Sequence, residues 1–276
     1  MQIAIGTYDH TKALKDGSVS RPDVSFDFVE VSPITRAFRG MAASQAYDVS
    51  EMALATYMLA RVYDKPIVGL PIVLVRSNLL PGLVTAESSP LADPRELRGK
   101  TLGIRSYTQT SGVWVRGILQ DAYQLDLSSL RWVTSEGAHL DEYHDPSNVS
   151  RAPADANLAD MVRSGKLAAA IGLPVGEGLR TLIPDAAKAE AEWAAKSGVR
   201  TVNHVVAVKR DLLDRDPGLP RKLTDLFERA RGKDGASAPP IGVEPNRKAF
   251  ETLTRYAFEQ SITPRAMTVE ELFPYG

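Results

Sequence analysis

Cysteine is absent from this 276-residue chain, which removes disulfides, thiolate nucleophiles and cysteine-based metal sites. Histidine is scarce. His10, His139, His144 and His204 are the four present, and no His-Glu-x-x-His spacing links them. An excess of either charge is missing too: 33 Lys and Arg against 34 Asp and Glu leave a formal net charge of −1. That balance argues against an electrostatic grip on nucleic acid or an anionic membrane. No apolar run approaches the ~20 residues that cross a bilayer, and no dinucleotide glycine fingerprint, internal repeat or low-complexity segment is present. The opening, Met1-Gln-Ile-Ala-Ile-Gly6, is strand-like and lacks a basic n-region and an apolar h-region. With Met1 as the native start, the expected compartment is the cytoplasm.

What remains is an ordinary globular composition, 43% hydrophobic and 24% charged, long enough for two lobes. Short β-rich runs alternate with helical patterns, which predicts a largely parallel sheet covered by helices. Strands are expected at Gln2–Gly6, Val24–Val31, Ile67–Val75, Thr101–Ile104, Leu130–Val133, Ala168–Gly172 and Val202–Val208. Helices are expected at Pro33–Ala43, Ala53–Arg61, Thr110–Ala122, Leu158–Ser164, Ala186–Ser197, Pro220–Arg231 and Pro245–Gln260. Ser135–Ala156 and Gly232–Pro240 read as loops.

Several residues after strands carry chemistry. Tyr8, Asp9 and His10 offer a phenol, a carboxylate and an imidazole; the alternative for Asp9 is a capping turn. Glu51 precedes an apolar helix. Beside Met52 and Leu54 it is partly desolvated, which suits acid–base work, whereas Asp48 and Ser50 better fit helix capping. Tyr107-Thr-Gln-Thr-Ser-Gly112 opens a helix, where the hydroxyls of Thr110 and Ser111 and unbonded N–H groups make an anion site or a plain cap. His204 stands in an otherwise apolar strand, either as a structural histidine or as a proton carrier. His139 and His144 lie among acidic residues without metal-cage spacing and read as solvated loop.

The order of elements looks like a type II periplasmic-binding-protein fold: an α/β chain of two lobes joined by two crossings. The crossings are expected near Val73–Val84 and Thr201–Val206, with residues 1–76 and 206–276 as one lobe, 77–205 as the other, and a ligand cleft between them. The words of the chain are more specific. Gly242-Val-Glu-Pro-Asn-Arg247 followed by Thr268-Val-Glu-Glu-Leu-Phe273 resembles the tail of the 4,5-dihydroxyphthalate decarboxylase family. Gly6-Thr-Tyr-Asp-His-Thr11, Tyr47-Asp-Val-Ser-Glu-Met52, Val113-Trp-Val-Arg-Gly-Ile-Leu-Gln120 and Val202-Asn-His-Val-Val206 extend the resemblance in order along most of the chain.

That resemblance implies a carbon–carbon lyase of aromatic catabolism acting on a small aromatic carboxylate without an organic cofactor; it assigns no metal-ligating residues, and whether a metal ion assists stays open. His204, Glu51 and His10 would be catalytic, and Tyr8, Asp9, Arg76, Tyr107, Thr110 and Ser111 would bind substrate. Departures are Thr7 and His10 where the family has Asp and Arg, Leu79-Leu80 in place of an Arg-His pair, and a shorter stretch between Arg231 and Gly242. A solute-binding protein for a small carboxylate or pyrimidine-like ligand, and a lyase like chorismate dehydratase, are the alternatives. Homo-oligomerisation stays open.

Overall fold

The computed structural model describes residues 1–232 and 238–276; positions 233–237, within the expected loop Gly232–Pro240, lie outside the described residues. Among these the strands are β1 (Gln2–Ala4), β2 (Asp27–Phe28), β3 (Val49–Ala53), β4 (Ile67–Val75), β5 (Leu83–Ala86), β6 (Thr101–Ile104), β7 (Arg131–Thr134), β8 (Val149–Arg151), β9 (Ala169–Ile171), β10 (Leu179–Thr181) and β11 (His204–Lys209).

Two compact units divide the chain. Met1–Arg76, Val202–Thr254 and Arg265–Gly276 form the first; Ser77–Thr201 and Arg255–Pro264 form the second. The chain re-enters the first unit at Val202 rather than at 206. The segment Arg255–Pro264, expected with the rest of 206–276, groups with the second unit for reasons of packing. Tyr256 is fully buried, edge-on to Trp114 and so close over Gly117 that a Cβ there would lie 2.1 Å from its ring. Gln260 accepts from Arg116 Nε and donates to the Val113 carbonyl.

The first unit holds a five-stranded sheet in the order β2-β1-β3-β11-β4. β1 runs parallel to β2 and β3, whereas β11 is antiparallel to both β3 and β4. This differs from the largely parallel sheet expected. The chain leaves the unit through β4 and returns through β11, so those neighbours must run in opposite directions. β4 is apolar along its whole length because the sheet is covered on both faces. Leu219, Leu223, Leu226, Phe227 and Ala230 recur at helical spacing on the helix Leu219–Ala230 and pack into the core formed by Ile3, Val49, Leu70, Ile72, Val206 and Val208.

The second unit holds a six-stranded sheet, β10-β5-β9-β6-β7-β8, parallel through β9, β6, β7 and β8 and antiparallel at β5 and β10. Its core gathers Val84, Leu158, Val162, Leu167, Ala170 and Leu179. The expected loop Ser135–Ala156 contains β8, which pairs with β7, and the expected strand Val24–Val31 is reduced to Asp27–Phe28. Leu79 and Leu80 are buried, their N–H groups donating to the buried Glu190 carboxylate at 2.6 and 2.7 Å. Pro245 sits in a 3-10 turn, Glu244–Asn246, that leads into the helix Arg247–Glu259. A capping box of Thr268 and Glu271 starts the last helix, Val269–Leu272.

Candidate functional site

Strand directions in the first unit gather the chemistry at one edge. The carboxyl ends of β1, β3 and β4 and the amino end of β11 coincide there, the kind of edge where open α/β sheets bind ligands. Gly6–Thr11 follows β1, Glu51 lies in β3, Leu74 and Val75 end β4, and His204 opens β11. β3 and β11 pair Ala53 with His204 and Glu51 with Val206. Glu51 and His204 are therefore diagonal neighbours on the same face, within reach of long side chains. A register shift in the β11–β4 pairing, between His204 and Val205, locally re-aims the strand.

Glu51 is completely buried, and three groups converge on its carboxylate. The Tyr8 hydroxyl donates to Oε1 at 2.7 Å, the Gly6 N–H donates to Oε2 at 2.8 Å, and His204 Nδ1 stands 2.6 Å from Oε1. A buried carboxylate costs heavily unless its lone pairs are filled. Here they are filled by a phenol, a backbone amide and an imidazole. An ionised carboxylate only accepts, so the proton of that last bond belongs to His204 Nδ1 and Nε2 is the remaining nitrogen. Phe38 packs edge-on against the imidazole with centroids 4.9 Å apart. Glu51 precedes the helix Leu54–Val62, as expected, but lies within β3 rather than in a cap before it. Its neighbours are not helix caps either: Asp48 accepts from the Gln2 N–H and Lys209, and Ser50 donates to the Glu51 carbonyl.

The turn carrying Tyr8 is closed by Thr11. Its fully buried hydroxyl donates to the Gly6 carbonyl and accepts from the Tyr8 N–H, both at 2.8 Å. Gly6 leaves room for the Tyr8 ring that lies against it, because a Cβ at this position would lie 2.5 Å from the Tyr8 Cζ and hydroxyl oxygen. Burial first, then the Glu51 charge and hydrogen bond, push the Tyr8 phenol well above its ordinary value, so Tyr8 stays a donor. His10 stacks on Tyr8 with centroids 5.2 Å apart, and its Nε2 stands 3.1 Å from the Leu74 carbonyl. That carbonyl can only accept, which leaves Nδ1 as the acceptor nitrogen. Burial, opposed by this hydrogen bond and reinforced by the Arg231 charge, holds His10 below the ordinary histidine value.

Asp9 does not join the cluster. Its side chain is 95% exposed and pairs with Lys12 at 2.6 Å, since the turn that points Tyr8 inward sends its neighbour outward. Arg76, the residue after β4, donates through Nη2 to Asn246 Oδ1.

Tyr107, Thr110 and Ser111 belong to the second unit. Tyr107 is buried beneath the Arg116 guanidinium, 4.1 Å from its ring centroid, and donates to the Gln260 carbonyl at 3.3 Å. Thr110 is the first residue of the helix Thr110–Tyr123, whose N-cap is Gln109 without a side-chain capping bond. Ser111 accepts from Gln109 Nε2 at 2.8 Å. Neither hydroxyl caps the helix. Among the described residues no group of three or more His, Asp and Glu could hold a metal ion, and no helix is long and apolar enough to cross a membrane.

Residue types alone did not reveal Gly6, Phe38 or Arg116. Gly6 had a signal, a glycine directly after a strand and two residues before a tyrosine; Phe38 had none beyond its helical spacing.

No family model matches the chain. It is 25% identical over 252 residues to a 4,5-dihydroxyphthalate decarboxylase from Comamonas testosteroni, covering 84% of this chain and 74% of that protein. A 4,5-dihydroxyphthalate decarboxylase from Pseudomonas putida is 28% identical over 180 residues, 62% of this chain and 69% of that one. The chain resembles 4,5-dihydroxyphthalate decarboxylases. The periplasmic aliphatic sulphonate binding protein SsuA from Escherichia coli superimposes with a TM-score of 0.60 at 13% identity, covering 99% of this chain and 91% of that one. The CA3427 product of Candida albicans, which exhibits the generic periplasmic binding protein fold, gives 0.52 at 12% identity, covering 99% and 92%. The fold is α/β and of the type II periplasmic-binding-protein kind.

Proposed function

We propose that this chain is a decarboxylase of a hydroxylated aromatic carboxylate similar to 4,5-dihydroxyphthalate. The observation that carries the reading is His204, held through Nδ1 by a buried carboxylate. Its remaining nitrogen is the one that gives up a proton. In such a substrate each carboxylate has a hydroxyl para to it, which donates electron density into the ring. The proton on His204 Nε2 moves to the carbon bearing the carboxylate, the carbon–carbon bond breaks, and its electron pair restores the aromatic ring as CO2 leaves. His204 is left neutral and regains a proton from solvent. The net change is one proton for one CO2, so no electron acceptor is required.

Glu51 orients His204 and balances its charge as an imidazolium. Tyr8 and the Gly6 N–H hold Glu51. His10, with Nε2 committed to the Leu74 carbonyl, accepts the phenolic proton at Nδ1 as the ring carbon is protonated and returns it to the phenolate oxygen as CO2 leaves. Arg76 takes the substrate carboxylate, the bidentate role for which a guanidinium is shaped. The similarity to decarboxylases at 25–28% identity supports the reaction class, and the buried Glu51 supports the division of labour.

The test is CO2 release by purified protein from a panel of hydroxylated benzoates and phthalates, with and without chelator. Release from at least one ring carrying a hydroxyl para to its carboxylate is the expected result. Tight binding with no product from any of them would favour a solute-binding role on the same fold.

A further inference from the structure

Thr11 carries a hydroxyl that helix capping does not explain. It stands at the N-cap of the helix Lys12–Lys15, where a threonine oxygen ordinarily accepts from an N–H of the first turn, yet its side chain makes no capping bond. The fully buried hydroxyl faces backward instead, into the turn Gly6–Thr11. It accepts from the Tyr8 N–H and donates to the Gly6 carbonyl, both at 2.8 Å. The Tyr8 carbonyl lies farther off at 3.2 Å and already accepts from the Thr11 and Lys12 N–H groups. A hydroxyl has one proton to give, and the geometry sends it to Gly6. The same two residues meet Glu51 from the other side: the Gly6 N–H donates to Oε2 and the Tyr8 hydroxyl to Oε1. Gly6 and Tyr8 are thus each bonded twice, once to the Glu51 carboxylate and once to a single Thr11 oxygen.

We infer that Thr11 is a positioning residue for the proton transfer: its hydroxyl fixes the Gly6 carbonyl and the Tyr8 N–H so that the two donors reach both oxygens of Glu51 at once, and Glu51 in turn holds His204 at Nδ1. The inference rests on the reading of His204 as the proton donor. Glycine leaves its backbone free to rotate, so the bond to the Gly6 carbonyl removes a freedom that would let its N–H leave Oε2. The bond from the Tyr8 N–H sets the backbone from which the phenol reaches Oε1, the oxygen that also faces His204. A site held in this way needs no rearrangement when the proton moves, and the gain falls on turnover rather than on binding. Valine has the shape of threonine and neither a donor nor an acceptor, whereas serine keeps both, so this pair of substitutions separates the hydroxyl from its volume.

The experiment combines steady-state kinetics with proton and nitrogen-15 NMR of the His204 ring in the full-length protein. Thr11→Val should lower kcat about tenfold, the worth of roughly one hydrogen bond, with KM nearly unchanged. The His204 Nδ1–H signal should move with it, because Glu51 is then held less firmly. Thr11→Ser should keep both kcat and that signal close to wild type. In a Tyr8→Phe background Thr11→Val should cost less than in wild type, since one of the two donors it orients is already gone. Equal losses in both backgrounds, or a raised KM at unaltered kcat, would mean a merely structural role and overturn the inference. An unmoved His204 signal in Thr11→Val would overturn it as well. If Thr11→Val fails to fold, Thr11→Ser carries the test: a kcat loss as large as that of Tyr8→Phe, with the hydroxyl retained, would count against the inference. A moved His204 signal in a protein that decarboxylates nothing would leave Thr11 as the positioning residue and defeat the proposed reaction alone.

Discussion

Glu51 Oε1 and His204 Nδ1 stand 2.6 Å apart, the carboxylate completely buried and the imidazole 17% exposed. The asymmetry sets their roles. A carboxylate without access to solvent cannot meet a substrate atom, whereas the histidine in front of it can. The pair is produced by sheet register, since β3 and β11 place Ala53 opposite His204 and so bring Glu51 onto the same face.

Glu51→Gln keeps the shape but turns one acceptor oxygen into a donor facing the donors Gly6 or Tyr8 and His204. We expect kcat to fall about 10²-fold with KM nearly unchanged, because the change acts on proton delivery rather than on binding. Nitrogen-15 signals of His204 should report loss of the fixed Nδ1–H form. An unaltered kcat would remove Glu51 from the mechanism.

Gly6→Ala should be more harmful than its size suggests. The added methyl meets the Tyr8 ring at 2.5 Å, so the phenol must leave Glu51. Activity should fall at least as far as in Tyr8→Phe, which loses one hydrogen bond to a charged group, about 1.5–3 kcal/mol. Adding Tyr8→Ala to Gly6→Ala should relieve the clash and recover part of the lost Tm. No recovery would show that the strain lies elsewhere.

His10 gives a pH signature. Its folded-state value lies below the ordinary 6.5, mainly through burial, so the unfolded chain takes up the proton first as pH falls. Its contribution to stability is complete above the unfolded value and is lost as pH drops from about 6.5 toward the folded value. Urea midpoints of wild type and His10→Asn should keep a constant gap above pH 7, and wild type should lose ground relative to the variant by pH 5. A gap moving the other way would mean that His10 is charged in the fold.

Arg116 and Asp9 make a contrast in the cost of losing a charge. Arg116 is completely buried and donates at 2.7 Å to both Gln260 Oε1 and the Tyr107 carbonyl. Arg116→Met would leave two buried acceptors unpaired and should cost about 3–5 kcal/mol, read from denaturant midpoints. Asp9→Ala, at an exposed pair with Lys12, should be indistinguishable from wild type.

Much of this was legible in the sequence. β4 and β6 have the ends that alternation and apolar runs predict, because burial on both faces leaves a continuous apolar word. Tyr8, Glu51 and His204 were legible as polar residues at or near strand ends, and the structure brings them together through hydrogen bonds, with His10 stacked on Tyr8. What the sequence hid was local. Val49–Ala53 is too short and too polar, with Ser50 and Glu51 inside it, to read as a strand; it pairs because β1 and β11 flank it. Asp9 looked equivalent to Tyr8 because turn geometry decides which of two adjacent side chains points inward. The grouping of Arg255–Pro264 with the second unit depends on Tyr256 meeting Trp114 and Gly117, and no periodicity encodes that contact.

The central claim is that His204 delivers the proton. The measurement is the rate of CO2 release by wild type and His204→Gln at saturating concentration of whichever hydroxylated carboxylate the panel identifies. Turnover should fall by roughly 10²–10⁴-fold while substrate affinity changes little. Undiminished CO2 release by the His204→Gln protein would contradict it.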